Sequence, residues 1–358
     1  MDPALIRAFP ALGVAFPRRP FVTAPTPVSR LSLAGFSRGD LYVKHDEQSC
    51  ALYGGNKPRK LEFLIGDALR RGSRRLVTSG GLGTHHGLAT TILGRSSGLA
   101  TTLVLVDQPI SEKVRDSLLL CASWGADLVR ARTVPYAVTY SAGVLAASGL
   151  RGERPYLILP GGSSLRGNLG FVSAGLELGE QVKEGLLPEP RELWVPVGSG
   201  GTLVGLAVGL GLAGLATRLR GVLVSDILAP TPRRLAGAAR RLLRSLRRID
   251  PGIPRPTLPA ESFALHRGQL GGGYGVASES GDAALRAAAE QGIVLDPTYT
   301  AKCLAALIEE ERRGALVPGP LLFWNTFNGV DMAGVTPLAA TPDDLPASFR
   351  EIFEDAPQ

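Results

Sequence analysis

The chain has 358 residues, room for roughly two domains of about 100–200 residues each. Its 44% hydrophobic and 20% charged residues exclude a disordered or fibrous chain and fit a folded globular one. Only three cysteines occur, Cys50, Cys121 and Cys303; they are far apart and lack C-x-x-C spacing, which argues against a disulfide scaffold and a zinc site and fits a reducing cytoplasm.

In chain order, residues 1–10 lack a basic segment followed by an apolar core, so no signal peptide is expected. No apolar run reaches the ~18 residues of a membrane span. A short strand is predicted at 41–43, then a helix over 60–70 with Leu61, Phe63, Leu64, Ala68 and Leu69 on its apolar side. Strands at 75–78 and 101–106 alternate with helices at 87–94 and 111–123. Short strands follow at 127–129 and 156–159, a long helix at 170–184 and a buried strand at 193–197. A small-residue helix at 200–212, a strand at 220–225 and a late strand at 321–324 complete the pattern. Strands alternating with helices imply parallel sheets in an α/β protein.

The net charge of +7 favours anionic partners in general. Much of it sits at 233–248, where Arg233, Arg234, Arg240, Arg241, Arg244, Arg247 and Arg248 face away from a stripe of Leu235, Ala239, Leu242, Leu246 and Ile249. This is an amphipathic helix with a solvated basic face. Neither an aromatic platform nor a recognition motif accompanies it, so no nucleic-acid partner is expected.

Three segments carry chemistry. Gly54-Gly55-Asn56-Lys57-Pro58-Arg59-Lys60 turns tightly before a helix. A lysine there is either an ordinary surface lysine or, desolvated in a cleft, a Schiff-base lysine of lowered pKa. Val195-Pro196-Val197-Gly198-Ser199-Gly200-Gly201-Thr202 is a buried strand running through a glycine turn into a helix. It is neither a Walker A loop nor a G-x-G-x-x-G dinucleotide loop; it is either a plain turn or a site for one phosphate monoester on helix-start N–H groups. Leu295-Asp296-Pro297-Thr298-Tyr299-Thr300-Ala301-Lys302 makes an extended turn into a helix. Tyr299 there is an acid/base or orienting group, or a tyrosine on the rim of the core.

Together these segments resemble the pyridoxal-phosphate (PLP) enzymes of fold type II, the tryptophan synthase β-like group, and within it the branch of 1-aminocyclopropane-1-carboxylate (ACC) deaminase and D-cysteine desulfhydrase. The stretch Gly54–Glu62 matches that branch's Gly-Gly-Asn-Lys-x-Arg-Lys-Leu-Glu. Leu159-Pro160-Gly161-Gly162-Ser163, Leu169-Gly170-Phe171, Glu177 and Gly272-Gly273-Tyr274-Gly275 match further motifs. The resemblance spans about residues 10 to 335. It implies two open twisted sheets with helices on both faces and the cofactor in the cleft between domains. The large domain would hold 1–60 and 163–358 and the small domain 61–162. It further implies that Lys57 is the Schiff-base lysine and that Asn56 bonds the phenolic oxygen of the pyridoxal ring. Gly198, Ser199, Gly200, Gly201 and Thr202 would hold the phosphate. Thr300 would lie near the pyridine nitrogen, where a neutral hydroxyl holds a proton less firmly than a carboxylate does. Tyr274 and Tyr299 would face the substrate.

The substrate side departs from the family. A loop that usually reads Gly-Gly-x-Gln-Ser-Asn-His/Gln is here Gly80-Gly81-Leu82-Gly83-Thr84-His85-His86. Thr84 keeps a hydroxyl, which makes it a catalytic candidate. His85 either grips or deprotonates substrate, or only replaces a polar contact; His86 lines the same loop. Phe327, in Asn325-Thr326-Phe327-Asn328, adds bulk where the family leaves space, and Lys44-His45-Asp46 replaces Lys-Arg-Glu/Asp. The expectation is a cytoplasmic, homodimeric PLP-dependent lyase or deaminase of amino-acid metabolism. It would take a small, D- or β-substituted amino acid through α,β-elimination to a keto acid and ammonia. Racemisation, β-replacement, ACC deamination and PLP binding without catalysis are the alternatives.

Overall fold

A computed structural model describes residues 2–33, 36–225, 229–336 and 339–354. The chain forms two compact units: Met1–Phe16, Val22–Lys60 and Ser163–Gly329 make the first, and Pro17–Phe21, Leu61–Gly162 and Val330–Gln358 the second.

The first unit is built on a six-stranded sheet. Its strands are β1 (Val28–Arg30), β2 (Leu41–His45), β7 (Glu192–Val197), β8 (Arg218–Leu223), β9 (Phe263–His266) and β10 (Leu321–Asn325), in the order β1-β2-β10-β7-β8-β9. All neighbours are parallel except the β1–β2 edge pair. The apolar run Leu193-Trp194-Val195-Pro196-Val197 sits in the centre of this sheet. All six residues of β7 are buried, so both of its faces are covered, as parallel sheets require. Helices Gly201–Leu212 and Thr300–Arg312 pack against β7 and β8. Trp194, Leu304, Leu307 and Phe323, each at most 1% exposed, belong to the core between sheet and helix.

The second unit carries β3 (Arg75–Gly81), β4 (Ala100–Val106), β5 (Ala126–Arg132) and β6 (Pro155–Ile158), all parallel, in the order β5-β4-β3-β6. Helices His85–Arg95 and Val134–Leu150 pack on β3 and β4. The C-terminal segment, expected with the large domain, groups here instead. Arg115 donates to the Ile352 carbonyl at 2.9 Å, Arg130 to the Ser348 carbonyl at 2.6 Å, and the Ala340 amide to Ser123 Oγ at 2.8 Å.

Most predicted elements form, with boundaries that shift for local reasons. The helix expected from residue 60 begins at Asn56. The helix expected from residue 87 begins at His85, because the Thr84 hydroxyl caps it by accepting from the Gly87 amide at 3.1 Å. The basic helix spans Pro232–Ile249 and buries Leu235, Ala239, Leu242, Leu243 and Leu246. Ile249, assigned to its apolar stripe, is exposed at the last turn. Helix Val134–Leu150 escaped the sequence reading, because its run of apolar and small residues lacks a 3.6-residue alternation with polar ones. Among the described residues, no helix is long and apolar enough to cross a membrane, and no group of side chains could hold a metal ion.

Candidate active site

The site grows from the start of helix Asn56–Arg70. The preceding glycines are there because other backbone lies against them. A Cβ on Gly54 would sit 1.9 Å from the Glu47 carbonyl, and one on Gly55, whose φ is +80°, 2.4 Å from the Thr326 carbonyl. The same carbonyl accepts from the Asn56 amide at 3.2 Å, and the Asn328 side chain accepts from the Gly54 amide at 2.6 Å. The 325–328 loop, read as a substrate-side departure, therefore also braces the lysine loop through its backbone. Phe327 is only partly buried.

Two residues after Lys57 lies a buried ionic network that the sequence reading did not assign. Arg59, 3% exposed, bonds Asp46 through Nε at 2.9 Å and Nη2 at 2.7 Å, and Glu177 through Nη1 at 2.9 Å. Lys44 reaches Glu177 at 2.6 Å and Gln181 at 2.7 Å. Two cations thus meet two anions in a buried, hydrogen-bonded set, the arrangement in which buried charge is tolerated. Burial raises the Glu177 carboxyl, but Arg59 and Lys44 outweigh it and hold the group at about 2. The network pins the first turn of the helix and so fixes where Lys57 can point. Of the altered Lys44-His45-Asp46 run, Lys44 and Asp46 belong to it. His45 turns away, to Glu47 at 2.5 Å and Ser29 at 2.7 Å.

Lys57 Nζ lies 2.7 Å from Asn56 Oδ1 and 5.9 Å from the centre of the Tyr299 ring. Loss of solvation lowers its pKa to about 8, against the opposing pull of Asp296. The Asn56 oxygen is taken by Lys57, which leaves its amide N–H groups as the donors. Tyr299 Oη donates to Tyr274 Oη at 3.0 Å, and the two rings meet edge to face at 5.9 Å. Burial, with Tyr274 beside it, raises the Tyr299 phenol well above its ordinary value. Burial likewise raises Tyr274. The pair is a protonated wall beside a readily deprotonated amine.

Thr300 is fully buried, and its hydroxyl is occupied: it donates to Asp296 Oδ2 at 2.8 Å and accepts from the Asp296 amide at 2.8 Å. The expectation of a simple neutral hydroxyl is corrected to a hydroxyl held by a carboxylate, with lone-pair density left and no proton to give. Asp296 also accepts from the amides of Thr298 at 2.9 Å, Tyr299 at 2.6 Å and Thr300 at 3.1 Å. Its position three and four residues before Tyr299 and Thr300 is the sequence signal for that capping role.

The glycine turn Gly198–Thr202 opens helix Gly201–Leu212, whose first amides have no acceptor within the helix. Ser199 Oγ meets Ser163 Oγ at 2.6 Å, and Lys60 Nζ lies 3.4 Å from Ser163 Oγ. Asn168 packs its side-chain oxygen, buried and without a hydrogen-bond partner among the described residues, against Gly201. Burial, with Lys57 nearby, brings the Lys60 pKa down to about 7. Helix-start amides, including the turn that holds Thr202, the hydroxyls of Ser163 and Ser199, and an amine converge there. This donor set suits a phosphate, so the residues present fit PLP. Ser163, Asn168 and Lys60 were not among the sequence candidates; Lys60 and Ser163 stood inside quoted motifs, and nothing in the sequence marks Asn168.

In the second unit Thr84, His85 and His86 do not form a free loop. Thr84 is the helix cap and its hydroxyl oxygen is already engaged; His85 and His86 occupy the first turn, His85 partly exposed and His86 5% exposed. Helix-start placement of His85 gives its ring the positive end of the helix as a neighbour.

The sequence profile of the family described as "Pyridoxal-phosphate dependent enzyme" matches residues 21–326. The D-cysteine desulfhydrase of Yersinia pestis (strain Pestoides F) is 34% identical over 319 residues, covering 87% of this chain and 93% of that protein. The D-cysteine desulfhydrase of Salmonella typhimurium (strain LT2) is 33% identical over 323 residues, covering 87% and 94%. The crystal structure of an ACC deaminase homologue is similar with a TM-score of 0.75 and 29% identity over 92% of this chain and 95% of that one. Threonine deaminase isoform 2 of Solanum lycopersicum, at 16% identity, TM-score 0.58 and coverage of 92% and 86%, is a likeness of fold alone.

Proposed function

The chain belongs to the pyridoxal-phosphate dependent enzyme family, and on that premise we propose that it is a D-cysteine desulfhydrase-like lyase. It would remove a β substituent and ammonia from a small amino acid. The observation that carries this reading is Lys57, an amine of pKa about 8 facing a tyrosine pair that keeps its protons. Bound here, PLP supplies the electron sink that makes a substrate α-proton removable. Lys57, not Tyr299, is the group suited to take that proton, because a base works best with a pKa near the working pH. Tyr299 and Tyr274 orient the substrate and can return a proton to a leaving thiolate. Thr300, backed by Asp296, offers the ring nitrogen an acceptor. Gly198 to Thr202, with Ser163 and Lys60, hold the phosphate. Thr84, His85 and His86 serve the substrate carboxylate.

We further place the enzyme in the cytoplasm as a homodimer. All three cysteines are buried and none forms a disulfide among the described residues, which suits a reducing compartment. Helix Val134–Leu150 contains no charged residue and exposes Val134, Tyr136, Val138 and Tyr140, the kind of apolar surface that marks a protein interface. The exposed arginines of Pro232–Ile249 sit on a helix whose apolar side is already buried, which supports a solvated face over a nucleic-acid or membrane site.

The test is a panel of D-cysteine, L-cysteine, D-serine and ACC incubated with the PLP-loaded enzyme. Keto acid, sulfide and ammonia should appear together from D-cysteine. Keto acid from ACC alone would replace this reading by ACC deamination. Optical inversion without keto acid would replace it by racemisation.

Lys60 gives a pH dependence. With a pKa of about 7 before the phosphate arrives, it is half neutral there, and a phosphate dianion beside it favours the charged form. PLP binding should therefore take up a proton above about pH 7. The Lys60 contribution is fully present below that pH and declines as pH rises from it to the higher pKa of the bound state, by at most about tenfold in affinity per pH unit. Titrations in two buffers of different ionisation enthalpy should show proton uptake for wild type and less for Lys60→Met. Equal uptake in both would remove Lys60 from the phosphate site.

A further inference from the structure

Lys302 is 0% exposed, on the first turn of helix Thr300–Arg312. Its ammonium donates to two backbone carbonyls, Leu270 at 3.2 Å and Gly273 at 3.3 Å. Both carbonyls already close turns inside the 267–278 loop, accepting from the amides of Gly273 at 3.1 Å and Val276 at 3.4 Å. The ammonium is thus the hub at which two successive turns meet. The loop needs such a hub. It has no regular structure between β9 and helix Glu279–Ala289, and Gly271, Gly273 and Gly275 all have positive φ, so its backbone is costly to order.

A lysine kept only to fill this space would be a poor choice. Burying an ammonium costs several kcal/mol on the order of magnitude known for ions in proteins, and a methionine would fill a similar volume without it. Burial lowers the Lys302 pKa, and Asp296 pulls it back up. What the charge gains is the two carbonyls of the loop. A second tie runs parallel: Gln269 Nε2 donates to Glu309 Oε2 at 3.0 Å, on the same helix, and Gln269 Oε1 accepts from Ser280 Oγ at 2.9 Å. The loop carries Tyr274, whose hydroxyl accepts from Tyr299 at 3.0 Å. Tyr299 is the residue that starts the helix bearing Lys302. One helix start therefore holds one tyrosine of the pair directly and the other through the ammonium.

We propose that Lys302 is a positioning residue that fixes the 270–275 loop, so that Tyr274 stands rigidly against Tyr299 and the pair limits the size of amino acid the site accepts. The size limit rests on the proposed reading of the site; the tether does not. Hydrogen exchange followed by mass spectrometry on the PLP-loaded enzyme reads the tether alone. In Lys302→Met, amides 269–276 should exchange at least about tenfold faster than in wild type, the local opening free energy having fallen by about 1.4 kcal/mol or more. Cofactor absorbance should be unchanged. Lys302→Gln, which keeps a neutral donor, should lie between the two. Should Lys302→Met not fold, Lys302→Gln carries the same comparison. Kinetically, KM for the best small substrate should rise at least about tenfold with kcat changed less, as expected for lost positioning in the bound state, and bulkier amino acids should gain relative to small ones. Exchange at the wild-type rate in a folded variant would overturn the tether. A loosened loop with unchanged size preference would overturn the positioning role. A loosened loop in an enzyme that turns over no amino acid would leave the tether standing and remove the proposed function.

Discussion

Lys57→Ala is expected to fold, to bind PLP without the visible absorption of a lysine-linked cofactor, and to lose at least about 10²–10⁴-fold in keto-acid formation from the missing proton transfer alone. Folding should survive because the Lys57 amine bonds Asn56 while the structural ion pairs of this turn belong to Arg59. The competing amine is Lys60, one turn further along the same helix. Burial lowers its pKa to about 7, as it lowers that of Lys57 to about 8, so the supply of free amine at neutral pH does not by itself single out Lys57. Geometry decides otherwise. Lys60 reaches Ser163, which bonds Ser199 in the glycine turn, whereas Lys57 lies against the Tyr299 ring. Borohydride reduction of the loaded enzyme followed by peptide mapping checks the assignment directly. Label on Lys60 would exchange the two roles and undo the mechanism proposed for Lys57.

The pieces legible in the sequence were those whose chemistry is local. An apolar run ending in Gly198-Ser199-Gly200-Gly201 reads as strand, turn and helix because each step is set by neighbours in the chain, and it forms so. Gly54-Gly55 before a lysine is legible for the same reason. What brought no signal was pairing at a distance. Nothing near Arg59 in the chain says that it meets Glu177, 118 positions away, or that Ser163 meets Ser199. Thr84 shows a subtler limit. Its hydroxyl was read as a reacting group from the loop it occupies in relatives, but in this chain it also begins a helix two residues early and spends its oxygen on the Gly87 amide. Thr300 repeats that lesson. A hydroxyl beside a capping aspartate is drawn into the cap, and the sequence Asp296-Pro297-Thr298-Tyr299-Thr300 contains both partners without stating that they bond. A side chain's identity was readable in each case, and the allocation of its hydrogen bonds was not.

Gly201→Val should leave the chain folded but weaken PLP by about 10²–10⁴-fold, equivalent to losing two charge-assisted hydrogen bonds of about 1.5–3 kcal/mol each. The cause is space. A Cβ at 201 would lie 2.3 Å from Ser163 Oγ and 2.6 Å from Asn168 Oδ1, closer than any carbon and oxygen approach without a bond. Both obstacles are side chains, so they can swing aside and the helix can survive. Swinging aside, however, breaks the Ser163–Ser199 contact at 2.6 Å and carries Ser163 away from Lys60. The donors that converge on the turn are then dispersed even though every one of them is still present. Ser163→Ala separates the two effects: it removes the obstacle and one hydroxyl but leaves the amides open, and should weaken PLP by only about tenfold, one ordinary hydrogen bond. In Gly201→Val with Ser163→Ala the clash with Asn168 remains, so affinity should recover in part. The measurement is PLP affinity from absorbance titration, with circular dichroism confirming the fold. Wild-type affinity in a folded Gly201→Val protein would mean that the phosphate lies elsewhere, and Ser163, Ser199 and Lys60 would leave the site with it.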